Sequence, residues 1–350
     1  MSGPEARAES RLGARIGAGA GTALALGLLV LAVAVAFGVG RFPVGLGDVA
    51  QVLLAKLTGR PAAVPPAVEA VVMQIRGPRI LAAILIGAAL SVAGAAFQGL
   101  FRNPLVSPDI LGASSGAAFG AVLGIWLSLG VLAIEALAFA GGLAAVAAVY
   151  LVGATLARRD PVLVLVLAGV VIGSLLGAGV GLVKYLADPY NQLPAMTFWL
   201  LGSLSATHAL DLAALALPVV LGTAVLLLLR WRLDALSLPE EEARALGLAT
   251  GPLRLAIVAA ATLVTAASVA AAGIVGWVGL VVPHLARFLV GPGFARLIPT
   301  AALLGAGYLL VIDTLARTIA PVEVPLGILT AVVGTPVFLW LLAGAERDWQ

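Results

Sequence analysis

Apolar residues run along this chain in long blocks, not in alternation. The blocks lie near 17–40, 80–100, 112–134, 136–157, 161–186, 211–230, 254–272, 274–290, 298–317 and 327–344. Each approaches the length of about 20 residues that a helix needs to cross the hydrocarbon core of a bilayer. The pattern predicts ten spans. The division within 112–157 rests on one residue, because only Glu135 interrupts that run. A tight hairpin at Glu135 is the simplest way to fold it. The first block is longer than the roughly 7–15-residue core of a signal peptide and reads as an uncleaved span. A leader cleaved near the Ala-Val-Ala at Ala32 is the competing reading.

Polar segments separate the blocks. The stretch 41–75 holds "RPAAVPPAVEA" and predicts irregular chain around a short helix at 47–57. The stretch 187–209 carries Phe198 and Trp199, which suit a helix lying at the headgroups. "APVEVPLG" separates the last two spans. No soluble domain can be carved out, so one membrane domain accounts for 1–350.

Composition agrees. Hydrophobic residues make up 62% of the 350 and charged residues 11%, against roughly 25% charged in a soluble domain. With ten spans and the polar tail 1–16 inside, thirteen arginines face the cytoplasm, among them Arg7, Arg11, Arg15, Arg158, Arg159 and Arg347. Seven basic residues face outward. That excess places both ends in the cytoplasm. No polybasic run supports nucleic-acid binding. The absence of cysteine excludes thiolate metal sites and disulfides. His208 and His284 stand alone and do not make a metal site.

Against this apolar background, "SLPEEEARALGLATG" (237–251) is conspicuous. Ser237 followed by Glu240 fits a capping box. Pro239 is acceptable in a first turn, and Glu240, Glu241 and Glu242 would sit at the positive end of the helix dipole. Gly247 would end that helix, and 250–252 would start another short turn. The segment 237–253 therefore reads as two short cytoplasmic helices. It is either a solvated loop or a docking surface, and caps alone do not choose.

Small-residue faces recur. Gly173, Gly177 and Gly181 are four apart, and Gly273, Gly276 and Gly279 three apart. Such faces let helices approach closely or slide. "SVAGAAFQGLFRNPL" and "SVAAAGIVGWVGLVVPHLAR" share a small-residue helix and a proline turn with an arginine, as two related halves of a transporter would.

Within 74–120, Arg76, Pro78, Arg79, Gly87, Gln98, Asn103, Pro104, Leu105, Pro108, Leu111, Gly112, Ser114, Gly116 and Ala117 form a spaced pattern. Asp109 stands where it can accept backbone bonds at a helix start. With "LAGVVIG" (167–173), "GIVGWVGLVVPHLAR" (273–287) and "VPLGILTAVVGTPVFLWLL" (324–342), the pattern resembles the permease family of type II ABC importers for iron-siderophores, haem and cobalamin. The resemblance runs from about 20 to 344 and implies an all-α, polytopic fold. In that family the loop after the sixth span sits in a groove of a cytoplasmic ATPase. Leu238, Pro239, Ala243, Leu246 and Gly247 match its pattern, with Pro239 in place of the usual glycine, and Glu240, Glu241 and Glu242 would make it an acidic lever. Asn103 and Leu105, and less directly Val162 and Leu163, match gate positions.

The resemblance also gives the outer arginines a role. Arg76, Arg79 and Arg317 match positions that receive acidic residues of a periplasmic solute-binding protein, and guanidinium forks suit carboxylates. The competing reading is headgroup phosphate and local pairing, such as Asp313 with Arg317 four residues on. No Gly-x4-Gly-Lys-Ser/Thr occurs, and the only lysines are Lys56 and Lys184. The chain therefore carries no Walker-type ATPase, and it needs no bound cofactor. ATP and magnesium would belong to a partner subunit.

The expectation is a permease in the bacterial inner membrane, working as a homodimer with two ATP-binding subunits below and the binding protein above. It would carry a metal chelate, first an iron(III)-siderophore, otherwise haem, cobalamin or molybdate/tungstate. An ion-coupled secondary transporter is the alternative class. Its candidate groups are Glu135, Asp211, Glu323 and Asp313, of which only Asp313 falls inside a span.

Overall fold

The computed structural model describes residues 18–156, 161–238 and 240–345. The tail 1–16, Arg158, Arg159, Pro239 and Arg347 lie outside the described residues. Helix α1 (Ala18–Gly38) leads to the short α2 (Leu46–Thr58), which ends on Gly59 in the left-handed region. Helix α3 (Pro66–Leu100) is continuous but changes its winding. Val71–Arg76 is π-helical, immediately before Gly77 and Pro78. A proline lacks the N–H that a regular ladder needs and crowds the preceding turn, and a π segment absorbs that fault.

A 3₁₀ turn at Pro108–Leu111 precedes α4 (Ala113–Trp126), and α5 (Val131–Leu156) returns beside it. The hairpin is at 127–130, not at Glu135, which lies inside α5. Ser128 takes φ +53° and Leu129 N–H donates to the Gly124 carbonyl at 3.0 Å. The backbone turns where Ser-Leu-Gly permits it, whereas charge contrast alone points to the glutamate.

Next come α6 (Pro161–Leu186) and the short α7 (Gln192–Leu201), then α8 (Ala209–Leu228) with a His208–Asp211 capping box. The short helices α9 (Arg230–Leu236) and α10 (Glu240–Ala245) follow. The chain closes with α11 (Thr250–Ala272), α12 (Val278–Val290), α13 (Phe294–Thr318) and α14 (Leu326–Ala345). Residues 250–252 form no separate turn; they are the first turn of α11.

Among the described residues, seven helices are long and apolar enough to cross a membrane, and α4, α12 and α14 are shorter apolar helices. Each expected span coincides with one of these ten. Helices α3 and α11 are interior, with 78% and 72% of their most apolar stretch buried, against 17% for α1 and α6. Small residues make the interior possible. A Cβ on Gly94 of α3 would run into the Gly279 carbonyl of α12, and one on Gly87 into the Gly305 carbonyl of α13. The two similar segments noted in the sequence thus pack against each other. Gln98 extends that contact, donating from Nε2 to the Leu280 carbonyl at 3.2 Å and accepting from Arg287 at 2.5 Å.

Candidate functional site

At the end of the bundle that the basic-residue count expects to face outward, four arginines converge. Arg79 on α3 donates from Nε to both Asp313 oxygens at 2.9 and 3.1 Å, and from Nη1 and Nη2 to Glu323 at 3.0 and 2.8 Å. Asp313 on α13 is fully buried and also faces Arg317 Nε at 3.3 Å. Glu323 accepts a further bond from the Ser203 hydroxyl at 2.9 Å. Burial alone would raise the Glu323 carboxyl, but the Arg79 fork and Ser203 outweigh it and hold it below its ordinary value.

Arg76 sits at the negative end of α1. Its guanidinium donates to the Phe37 carbonyl and, at 2.6 Å, to the Phe42 carbonyl. A cation there satisfies orphaned carbonyls and opposes the helix dipole. Any Cβ at Gly40 would collide with it, since Arg76 Nη2 lies 2.5 Å from that position. Arg317 donates to the Ala36 carbonyl at 3.2 Å. Arg41 reaches the Ala320 and Pro321 carbonyls.

The predicted arginines therefore come together but turn inward: Arg76 is 4% and Arg79 8% exposed. Arg41, which sequence reasoning passed over, is the exposed one. With Arg317 it lines a cleft of about 560 Å³ between 39–41 and 317–321. Within this cluster four arginines stand against two carboxylates, Asp313 and Glu323.

At the opposite end, expected to face the cytoplasm, α10 is fastened to α11. Glu240 accepts from Arg244 at 2.5 Å, Thr250 at 3.3 Å and Arg254 at 3.4 Å. Burial opposes its charge, but Arg254 and Arg244 hold its carboxyl below the ordinary value. The expected capping box is absent, because the Ser237 hydroxyl donates back to the Leu233 carbonyl at 3.0 Å. Glu240 is engaged by arginines instead. Ala243 is buried against the bundle, while Leu238, Glu241, Glu242 and Leu246 are exposed. Gly247 ends α10 with φ +80°. A second fastening joins α9 to α13, where Asp234 accepts the Phe294 N–H at 2.9 Å.

The remaining candidates also lie at the inner end. Asn103 Oδ1 accepts the Leu105 N–H at 2.9 Å, fixing an exposed turn. The Asp109 carboxylate takes the Ser114 hydroxyl rather than a backbone N–H. Val162 is half-buried and Leu163 exposed in the first turn of α6. No cluster of metal-ligating side chains occurs among the described residues.

Ten apolar helices, a small-residue interior and the short helices α9 and α10 fastened to α13 and α11 define a multi-pass membrane permease. The chain belongs to the FecCD transport family, whose sequence model matches residues 28–344. It is 39% identical over 310 residues to the molybdate import permease MolB of Haemophilus influenzae, covering 89% of this chain and 91% of that one. It is 40% identical over 272 residues to an iron chelatin transport permease of Helicobacter pylori, covering 78% and 82%. A solved inward-facing metal-chelate type ABC transporter superposes with a TM-score of 0.84 at 36% identity, covering 92% of this chain and 98% of that one. The protein is thus an ABC importer permease.

Proposed function

We propose that two copies of this chain form the pathway of an ATP-driven importer in the bacterial inner membrane. Two partner ATPases would bind beneath α9–α10 and a periplasmic solute-binding protein above. The carrying observation is the double fastening of the cytoplasmic segment, Asp234 to α13 and Glu240 to α11, with Glu241, Glu242 and Leu246 left facing outward. Movement of an ATPase against that face would reach the interior helices directly. ATP and magnesium would be held by the ATPases, and this chain would perform no covalent chemistry. The outward face of α6 supports the pairing of two copies. Among the described residues nothing comes within 4 Å of a Cβ placed on Gly177 or Gly181, and Val171, Leu175 and Leu182 around them are exposed.

On the outer side, an acidic side chain of the binding protein would enter beside Arg317 and Arg41, with Arg76 and Arg79 bracing the surface from beneath. On the inner side, Asn103, Leu105, Val162 and Leu163 would narrow the pathway, and an apolar constriction excludes water by dewetting. The cargo is a metal-bearing anion, first an iron(III)-siderophore. Molybdate is a second reading, because the MolB relative matches 89% of this chain and the iron chelatin relative 78%. The test is uptake into vesicles holding the complete transporter, offered labelled ferric siderophore and labelled molybdate separately. ATP-dependent uptake of neither overturns both cargo readings. Uptake driven by an ion gradient without ATPase subunits overturns the function itself.

A further inference from the structure

Helix α2 has three sides of different chemistry. At about 100° per residue, Val49 and Val52 fall on the side packed on the protein, and both are buried. Leu46, Ala50, Leu53, Leu54 and Leu57 fall within an adjoining arc of about 100°. All five are exposed, Leu54 and Leu57 at 60% and 83%. Gly47, Gln51 and Thr58 make a third, exposed and non-aliphatic side. A helix wholly in water would hide such a leucine stripe. A docking helix would be expected to mix in aromatic or arginine anchors, which this stripe lacks.

Its position is set by α1. Leu46 lies against the last turn of α1, where a Cβ on Gly38 would stand 3.4 Å from its Cδ2. The exposed apolar surface of α1, through Leu28, Leu31, Val35 and Val39, leads to Phe42 and then to the α2 stripe. Lys56 and Arg60, both exposed, close the far end.

We propose that α2 lies in the outer leaflet of the bilayer. Its leucine stripe enters the acyl region, Gln51 and Thr58 face water, and Lys56 and Arg60 meet lipid phosphate. Continuity with the lipid-facing surface of α1 and the basic residues at its edge both select a phospholipid surface as the occupant. A sided helix with a leucine face and flanking cations binds membranes in this orientation. The chain is thereby tied to the leaflet beside Arg41 and Arg76. This placement is independent of cargo and of ATPase coupling.

The natural absence of cysteine makes the test direct. Full-length Leu54→Cys, Leu57→Cys and Gln51→Cys variants are labelled with an environment-sensitive nitrobenzoxadiazole dye. They are placed in nanodiscs of phosphatidylethanolamine and phosphatidylglycerol. Lipid carrying a doxyl group near the headgroup should quench the label at 54 and 57 at least about twofold more than at 51, as for a helix buried at the headgroup–acyl boundary. Aqueous iodide should show the reverse order. Equal iodide quenching at all three sites overturns the proposal. Shielding of 54 and 57 from both quenchers also overturns it, and assigns the face to a protein neighbour. Lys56→Gln with Arg60→Gln should reduce the preference for phosphatidylglycerol. An unchanged preference removes the phosphate contact.

Discussion

Arg79 and Glu323 are joined by two nearly parallel hydrogen bonds, 3.0 and 2.8 Å, although 244 residues separate them. Through this fork the interior helix α3 holds the loop between α13 and α14, and Ser203 brings the end of α7 to the same carboxylate. Removing one partner of such a pair costs more than the pair contributes, because the other charge is left buried. Glu323→Gln leaves Asp313 to neutralise Arg79 and should cost about 1–2 kcal/mol. Arg79→Ala leaves Asp313 buried beside Arg317 alone and should cost about 3–5 kcal/mol. Thermal unfolding of the detergent-solubilised chain measures both. Equal losses for the two variants would show that the fork is not shared as described.

The same carboxylate predicts a pH dependence. Its folded pKa lies below its unfolded one. The stabilisation is therefore fully present above the ordinary carboxylate value and is lost as pH falls through the depressed folded value. Unfolding temperature should drop more steeply below about pH 4.5 in the wild type than in Glu323→Gln. Parallel curves for the two proteins would assign the acid loss to other groups.

Glycine substitutions should separate interior from exposed faces. Gly94→Ala drives a methyl into the backbone of α12 and should cost about 1–3 kcal/mol. Gly177→Ala meets nothing among the described residues and should leave the unfolding of the single chain unchanged. If two copies pair through α6, it should alter their association, which sedimentation in detergent reads.

Glu240→Gln should loosen α10 from α11 without unfolding either. Losing its charge-assisted contacts is worth about 1.5 kcal/mol. Transported solute per ATP hydrolysed should fall up to about tenfold, with ATPase activity retained. Amide hydrogen exchange over 240–248 in the isolated chain should quicken. Unchanged exchange would mean that Glu240 is not the fastening.

Asp234→Ala removes the cap on α13 and should cost about 1 kcal/mol. Its effect should add to that of Glu240→Gln in unfolding, since the two contacts share no partner. A combined loss well beyond the sum would show that the two fastenings act as one.

Much of this protein was decided one residue at a time along the chain. The ten apolar helices follow from block hydrophobicity, because lipid requires every spanning backbone to satisfy its own hydrogen bonds. The Asp313–Arg317 pair follows from helical spacing, and the left-handed end at Gly247 from the tolerance of glycine for positive φ. Spaced motifs carried the family. Tertiary structure decided what no local pattern holds. It turned Arg79 inward toward Glu323, bound Glu240 to Arg254 in place of a capping box, and moved the hairpin from Glu135 to Ser128. For Arg79 and Glu240 the reason is the same. A charge in a largely apolar chain goes to the nearest opposite charge in space, and packing of distant segments sets which charge that is.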